Sequence, residues 1–286
     1  MSTCAEEPVL FQCEGNLLIG VLHRAEGACD VAVLLIVGGP QYRVGSHRQF
    51  VSTARLVAAA GFPVLRFDYR GMGDSAGEYG GFECVAPDVR SAIDMLVVAC
   101  RPRRGVVLLG LCDAASAALM YCSTDPRVVG LILINPWVRS EQSQAAVVVR
   151  RYYTGRLLQA DFWRKLLGGR FDFVGSMASL FSNLVRAAGP RDVPSSQGFI
   201  AAMRAGFEQF SGPALVVLSG RDLTADEFRS LCRSDATWGR ALAREQVENV
   251  EMSTADHTFS KASDLAEFES HCRRWLRRHF GGRPCH

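Results

Sequence analysis

A single cysteine, Cys112, lies in a sequence setting that could make its thiol a nucleophile. An aliphatic run, 106–109, leads into Gly110-Leu111-Cys112-Asp113-Ala114, and an alanine-rich stretch follows directly. This order predicts a buried strand, a tight turn centred on Cys112 and then a helix. Gly110 and Ala114 are small, as they must be where strand and helix nearly touch. The pattern is therefore that of a nucleophile elbow with cysteine in the place of serine.

The predicted turn places the Cys112 thiol at the N-terminus of the following helix. The helix dipole favours negative charge there, and hence the thiolate, which is the form that attacks carbonyl carbons. The backbone N–H of Asp113 would face the oxygen of an attacked carbonyl. The chain has 10 cysteines, and most of the others fall in apolar or helical stretches typical of buried, reduced thiols. Cys112 is therefore the candidate nucleophile.

Two later loops supply a candidate acid and a candidate base, in the order nucleophile, acid, histidine. A predicted strand, 215–218, ends shortly before Asp222, and the strand 247–252 leads into a loop that contains His257. We predict that Asp222 orients the imidazole and that His257 takes the thiol proton. In the alternative, Asp222 is a turn or helix-cap aspartate and His257 a solvated loop histidine. Asp226 is the competing acid.

The loop after the first buried strand could complete the site. Gly38-Gly39-Pro40-Gln41 stands where a second backbone donor to the oxyanion is expected. Pro40 has no N–H, so the second donor would be Gly39 or Gln41, in addition to the Asp113 N–H. The alternative is a plain Gly-Pro turn.

A further glycine-containing loop, 68–75, follows the next predicted strand. Its glycines permit tight turns, and we expect Asp68 to pair with Arg70 and brace the loop beside the site. The loop is not a phosphate-binding P-loop, because no Lys-Ser or Lys-Thr follows the glycines.

Strand-like and helix-like segments alternate along most of the chain, which predicts a mainly parallel sheet covered by helices on both faces. The predicted strands are an opening hairpin, 9–12 and 17–23, followed by 31–37, 64–67, 106–109, 128–134, 215–218 and 247–252. The predicted helices are 50–60, 85–100, 114–122, 227–232 and 265–280. Residues 137–210 show no clear strand and are predicted to form a helical lid, inserted into a core domain made of 1–136 and 211–286.

The bulk composition limits the classes of function. The 286 residues, 48% of them hydrophobic, are enough for a large buried core. A net charge of +3 gives no argument for a nucleic-acid partner. No apolar run reaches the roughly 18 residues of a membrane span, so we expect no stable membrane insertion. No Cys/His cluster has zinc spacing, and we predict no metal and no cofactor. The first residues lack a signal segment, which predicts a cytoplasmic protein.

Four segments resemble the type 1 exosortase A system-associated hydrolases, which are bacterial proteins. The segments are Gly38–Arg43, Arg66–Ser75, Gly110–Ser116 and Asn135–Trp137, and the resemblance covers nearly the whole chain. It implies an α/β-hydrolase fold, with a mainly parallel central sheet, helices on both faces and a helical lid insertion. It also implies genes near exopolysaccharide synthesis, but no defined substrate. The chain bears a looser resemblance to cysteine-dependent dienelactone hydrolases. Gly38 departs from the fold's usual pattern, because many α/β-hydrolases carry the histidine of a His-Gly pair there.

Together these features predict a hydrolase of ester or thioester bonds that works through Cys112, His257 and Asp222 and an acyl-thioenzyme. Its substrate would be a small molecule or an acyl- or carbohydrate-linked compound of an exopolysaccharide system. An acyltransferase could use the same triad. Two further alternatives are a non-catalytic binding scaffold on the same fold and a peroxide-sensing thiol. The sequence leaves a homo-oligomer open.

Overall fold

Eight strands and seven α-helices are formed by the residues that the computed structural model describes, which are 5–27, 29–39, 41–138 and 196–281. The strands are β1 (Glu6–Cys13), β2 (Asn16–His23), β3 (Val31–Ile36), β4 (Val64–Phe67), β5 (Gly105–Leu111), β6 (Val128–Ile134), β7 (Ala214–Ser219) and β8 (Val247–Met252). The helices are α1 (Gln49–Ala59), α2 (Ala86–Cys100), α3 (Asp113–Tyr121), α4 (Ser196–Gln209), α5 (Leu223–Ser234), α6 (Ala236–Leu242) and α7 (Ala262–Phe280).

The strands form one sheet in the order β1-β2-β4-β3-β5-β6-β7-β8. β2 pairs antiparallel with both β1 and β4. The six strands from β3 to β8 all run parallel to one another. The central strands are continuous runs of buried aliphatic residues, as expected where helices cover both faces of a parallel sheet. The predicted α/β-hydrolase fold with a mainly parallel sheet is confirmed.

The hydrophobic core is divided between the two faces of the sheet. Alternate residues of each strand point to opposite faces. Leu34 and Leu108 pack in the cluster that contains residues of α2, α3, α4 and α5. Val33 and Leu109 pack in the second cluster, together with residues of α1 and α7. Each face of the sheet is thus covered by helices, and the strands are held rigidly.

Most of the predicted lid, residues 139–195, lies outside the described residues. α4, within the predicted 137–210 segment, has buried side chains at Phe199, Met203 and Phe207 that belong to the core beside α3. Gly206 allows this close approach, because a Cβ there would lie 2.0 Å from the carbonyl oxygen of Leu119. The part of the segment that the structure describes as α4 therefore packs against the sheet domain.

Candidate active site

The predicted site residues all follow parallel strands, whose carboxyl ends meet at one edge of the sheet. Gly39 follows β3, Cys112 follows β5, Asp222 follows β7 and His257 follows β8. β4 and β5 flank β3, so the chain crosses from one side of β3 to the other. In open parallel sheets a crevice forms at such a switch point, outside the carboxyl ends of the strands.

Cys112 occupies a strained turn between β5 and α3. Its backbone has φ 64° and ψ −127°, a combination that residues other than glycine rarely adopt. The Cys112 N–H donates to the Ile134 carbonyl at 2.9 Å, and this bond ties the turn to the end of β6. A Cβ on residue 110 would lie 2.6 Å from the backbone of Ala114, so only glycine fits there. This is the geometry of the predicted elbow, with a partly exposed thiol at the start of α3.

Asp222 and His257 are in direct contact. Asp222 Oδ2 lies 2.8 Å from His257 Nδ1, and the Asp222 side chain is only 7% exposed. The same carboxylate accepts the N–H groups of Thr224 and Ala225 at 3.2 and 3.3 Å and so caps α5. Asp222 therefore caps α5 and contacts the His257 imidazole at the same time, two roles that the sequence predicts as alternatives. The side chain of Cys112 also acts on this imidazole, because it favours the protonated form of His257.

The surroundings of His257 favour its protonated form. Burial of the imidazole opposes the charge, but the hydrogen bonds and negative charges of Asp222 and Cys112 outweigh burial and raise the pKa of His257 to about 10. An imidazolium at neutral pH is the form expected beside a buried carboxylate. The arrangement can therefore hold a proton on the imidazole close to Cys112.

We expect the His257 imidazole to keep its proton up to about pH 10, whereas an unfolded histidine loses it near pH 6.5. Because the folded pKa is the higher one, the charge stabilises the fold fully below about pH 6.5, and this contribution is lost as the pH rises through about 10. NMR titration of the imidazole resonances, assigned with His257→Asn, measures the midpoint. The midpoint should fall in Cys112→Ala, because one group that raises it is gone. An unchanged midpoint would contradict the contact with Cys112.

The competing residues are engaged elsewhere. Asp226 lies in the first turn of α5 and pairs with Arg229 at 2.9 Å. His23 ends β2 as predicted and is fully buried. Its Nε2 accepts the Nε–H of Arg66 at 2.8 Å, and burial and the arginine charge lower the pKa of His23 to about 4. Neither residue competes with Asp222 or His257.

The predicted oxyanion donors lie in two neighbouring loops, and one of them already has an acceptor. The Gly39 N–H donates to Oδ1 of Asp113 at 2.6 Å. The second candidate, the Asp113 N–H, lies at the start of α3. At the third candidate, Gln41, the side-chain Oε1 accepts the Ser46 N–H at 3.2 Å. Pro40 lies outside the described residues. The contact made by the Asp113 side chain is not predicted from the sequence, although an acidic residue directly after the predicted nucleophile is a visible signal.

Gly38 explains why this chain lacks the usual histidine at that position. A Cβ on residue 38 would lie 2.4 Å from Asp113 Oδ1 and equally close to the Leu111 carbonyl oxygen. No larger residue fits, because the Leu111 backbone alone leaves no room for a Cβ and the Asp113 carboxylate lies equally close.

The predicted pair between Asp68 and Arg70 is wrong. The Arg43 N–H donates to Asp68 at 2.6 Å, and the Arg43 guanidinium binds the same carboxylate. Arg70 instead pairs with Asp88 of α2 at 2.8 Å. The chain turns after β4 around the buried Tyr69, so the two side chains point to different neighbours. Asp68 thus braces the loop between β3 and α1, which carries Gly39.

Asn135 and Ser219 link the ends of β6 and β7 inside the protein, and this pair is not predicted from the sequence. The Ser219 N–H donates to Asn135 Oδ1 at 2.8 Å, and Asn135 Nδ2 donates to Ser219 Oγ at 3.0 Å. Both residues are fully buried. The pair fixes the strand end that precedes Asp222.

Asn135→Ala is expected to lower the free energy of unfolding by about 2–4 kcal/mol, because it removes two hydrogen bonds and leaves the Ser219 N–H buried without this acceptor. Urea unfolding followed by circular dichroism measures the loss. Val98→Ala is the control, since Val98 is 77% exposed and its replacement should change stability by less than about 0.5 kcal/mol. Equal midpoints for the two variants would contradict the structural role of Asn135.

An eight-stranded sheet in this order, with a strained elbow at its carboxyl edge, defines an α/β hydrolase. The sequence model of the alpha/beta hydrolase family matches residues 33–270, and the chain belongs to that family. No curated protein matches the sequence.

Solved structures with the same fold have little sequence in common with this chain. The esterase Pf2001 of Pyrococcus furiosus has a TM-score of 0.66 and 16% identity over 97% of this chain and 94% of its own. XC6422 of Xanthomonas campestris, an α/β serine hydrolase without a lid, has a TM-score of 0.60 and 17% identity over 99% and 98%. Est1E of Butyrivibrio proteoclasticus, solved with ferulic acid, has a TM-score of 0.62 and 14% identity over 95% and 98%. At these identities the similarity establishes the fold alone.

Two further findings concern the described part of the chain. No helix within it has both the length and the apolar character needed to cross a bilayer. No three His, Cys, Asp or Glu side chains within it are grouped so that they could hold a metal ion.

Proposed function

We propose that this chain is a cysteine hydrolase that cleaves carboxylic esters or thioesters through an acyl-thioenzyme on Cys112. The observation that carries the proposal is the 2.8 Å contact between the His257 imidazole and the Asp222 carboxylate, together with the effect of the Cys112 side chain on the pKa of the same imidazole. The strained backbone of Cys112 and the raised pKa of His257 support it, because both are typical of active sites.

Acylation follows from these positions. His257 holds the thiol proton, with Asp222 stabilising the imidazolium, and the Cys112 thiolate attacks the carbonyl carbon of the substrate. The carbonyl oxygen becomes an oxyanion beside the N-terminus of α3, where backbone N–H groups favour negative charge. When the tetrahedral intermediate collapses, the bond to the leaving group breaks. His257 then gives its proton to the leaving alcohol or thiol, and the acyl group stays on the Cys112 sulfur.

Deacylation uses the same residues in reverse. Neutral His257 takes a proton from water as the water oxygen attacks the thioester carbonyl. The bond from carbon to the Cys112 sulfur breaks, the carboxylic acid leaves, and the thiolate–imidazolium pair is restored. If a sugar or other hydroxyl replaces the water, the same steps give an acyltransferase.

Esters and thioesters are the proposed substrates because their leaving groups depart readily from a thiolate adduct. An amide nitrogen must be protonated before it leaves, which makes amides poorer substrates for this arrangement. The similarity in fold to Pf2001, which is described as an esterase, supports ester cleavage.

The proposal is tested by incubating the protein with short p-nitrophenyl esters and acyl thioesters. Product release gives turnover, intact mass gives the adduct, and peptide mapping locates it. We expect turnover together with a single acyl group on the peptide that contains Cys112. Acylation at the exposed Cys84 instead would contradict the assignment. If circular dichroism shows that the protein is folded, and neither turnover nor an adduct is seen, the result would favour a binding scaffold. Sulfenic acid formation by peroxide without acylation would favour a redox sensor.

We further propose that this hydrolase belongs to the type 1 exosortase A system-associated group and acts in the cytoplasm. The four resembling segments support the group, and cysteines in apolar stretches support a reducing compartment. The substrate would be a small molecule or an acyl- or carbohydrate-linked compound of an exopolysaccharide system. We propose neither a nucleic-acid partner nor stable membrane insertion, and the chain could form a homo-oligomer.

A further inference from the structure

The side chain of Asp113 is a charged group beside the proposed nucleophile that the triad does not use. Its Oδ1 accepts the Gly39 N–H at 2.6 Å. The backbone N–H groups of Ala114 and of Asp113 itself also favour the charged form of this carboxyl. Asp113 is the first residue of α3, so its carboxylate lies at the positive end of that helix. Backbone amides from two loops therefore converge on one anionic group.

These amides provide the main compensation for a partly buried charge. Among the described residues, no lysine or arginine forms an ion pair with Asp113, although the charge of His257 favours the carboxylate. Burial raises the pKa of Asp113, and the amides of Gly39 and Ala114 oppose that rise. Burial, together with the negative charge of this carboxyl, raises the pKa of Tyr79 to about 12. The hydrogen bond to Gly39 is thus a charge-assisted one, which is stronger than a bond to a neutral acceptor.

The same amides are expected to serve the reaction. In this fold the oxyanion is bound by the N–H after the nucleophile and by an N–H from the loop that follows β3. In this chain those groups are the Asp113 N–H and an amide of the loop that contains Gly39. A carboxylate oxygen and an oxyanion are both negatively charged acceptors. The Gly39 N–H cannot be donated fully to both.

We infer that the Asp113 carboxylate is the resting occupant of the oxyanion hole, and that a substrate carbonyl must displace it before Cys112 is acylated. The inference rests on the proposed acyl transfer to Cys112. Asp113 is then a positioning residue that controls access to the Gly39 N–H. The alternative is a fixed tether, in which Asp113 only holds the loop in place and other amides bind the oxyanion.

Two reactions of Cys112 separate these accounts. Acylation by p-nitrophenyl acetate passes through an oxyanion, whereas alkylation by iodoacetamide displaces iodide from a saturated carbon and forms none. The acylation rate divided by the alkylation rate reports on the oxyanion hole. A change in thiolate reactivity alters both rates and therefore cancels in this ratio. We would measure it for the wild type, Asp113→Asn, Asp113→Ala and Asp94→Asn. Asp94 is an exposed carboxylate of α2, paired with Arg127, and serves as the charge-matched control.

The ratio is expected to rise about tenfold in Asp113→Asn and at least as much in Asp113→Ala, with no change in Asp94→Asn. A neutral amide oxygen competes less well for the Gly39 N–H, and one oxyanion donor is worth roughly 10²–10³ in rate. A ratio that is unchanged in Asp113→Asn and lower in Asp113→Ala would establish the tether and overturn the inference alone. If every protein is alkylated but none acylated, the proposed function fails and the inference fails with it.

Discussion

Cys112→Ala is expected to abolish ester and thioester turnover, with a loss of at least about 10⁴-fold in kcat, because removal of a nucleophile that works as part of a triad leaves only binding and oxyanion stabilisation. The acyl adduct should vanish with turnover, since alanine offers no atom to acylate. The variant should fold normally, because it keeps the Cβ and loses a single partly exposed sulfur. Steady-state kinetics and intact mass check the result.

Two matched variants make the Cys112 result specific. Cys84→Ala removes an exposed thiol that has no contact with His257 or Asp222 in the described structure, and it should keep full activity. Cys112→Ser keeps a nucleophilic atom at the elbow but loses the ready ionisation of a thiol, so it should retain weak acylation. Turnover that survives in Cys112→Ala and disappears in Cys84→Ala would place the chemistry elsewhere.

The sheet and the elbow could be predicted because their causes are local. Runs of buried aliphatic residues mark strands that are covered on both faces, and β4, β6 and β8 begin and end where the sequence predicts. The elbow requires small residues at fixed spacing, and Gly110 shows why, since any Cβ there would meet the backbone of α3. The order of Cys112, Asp222 and His257 along the chain follows from the fold itself.

The missed features depend on partners that are distant in sequence or on residues with two roles. Asp68 pairs with Arg43 from another loop, a contact that spacing along the chain cannot reveal. α5 begins earlier than predicted because Asp222 caps it while also holding His257. α6 was missed because it is short and contains Gly239, although Asp235 caps it through the Thr237 N–H at 2.8 Å. Propensity is a weak guide for such a helix, which packing of the buried Trp238 stabilises.

The site combines a rigid backbone at Cys112 with an oxyanion donor, the Gly39 N–H, that is already bonded to the Asp113 side chain. The positive φ of Cys112 is held by the close packing of β5 on α3 and by the hydrogen bond from its N–H to Ile134. The proposed displacement of Asp113 would need no movement of this rigid elbow, only rotation of one side chain. In the proposed mechanism the substrate would then compete with Asp113 for the oxyanion donors, while the positions of Cys112, His257 and Asp222 stay the same.

His257→Ala is expected to lower kcat/KM by about 10³-fold or more, because the proton acceptor in acylation and the base in deacylation are lost together. Asp222→Ala should lower kcat/KM by up to about 10⁴-fold, since the imidazole loses its orienting partner. Asp222 acts through His257, so the double variant should be almost as active as His257→Ala alone. Kinetics on the four proteins of this cycle, with His271→Ala of α7 as the control, measure the coupling. Additive losses would mean that Asp222 serves only as the cap of α5, which the 2.8 Å contact with His257 argues against.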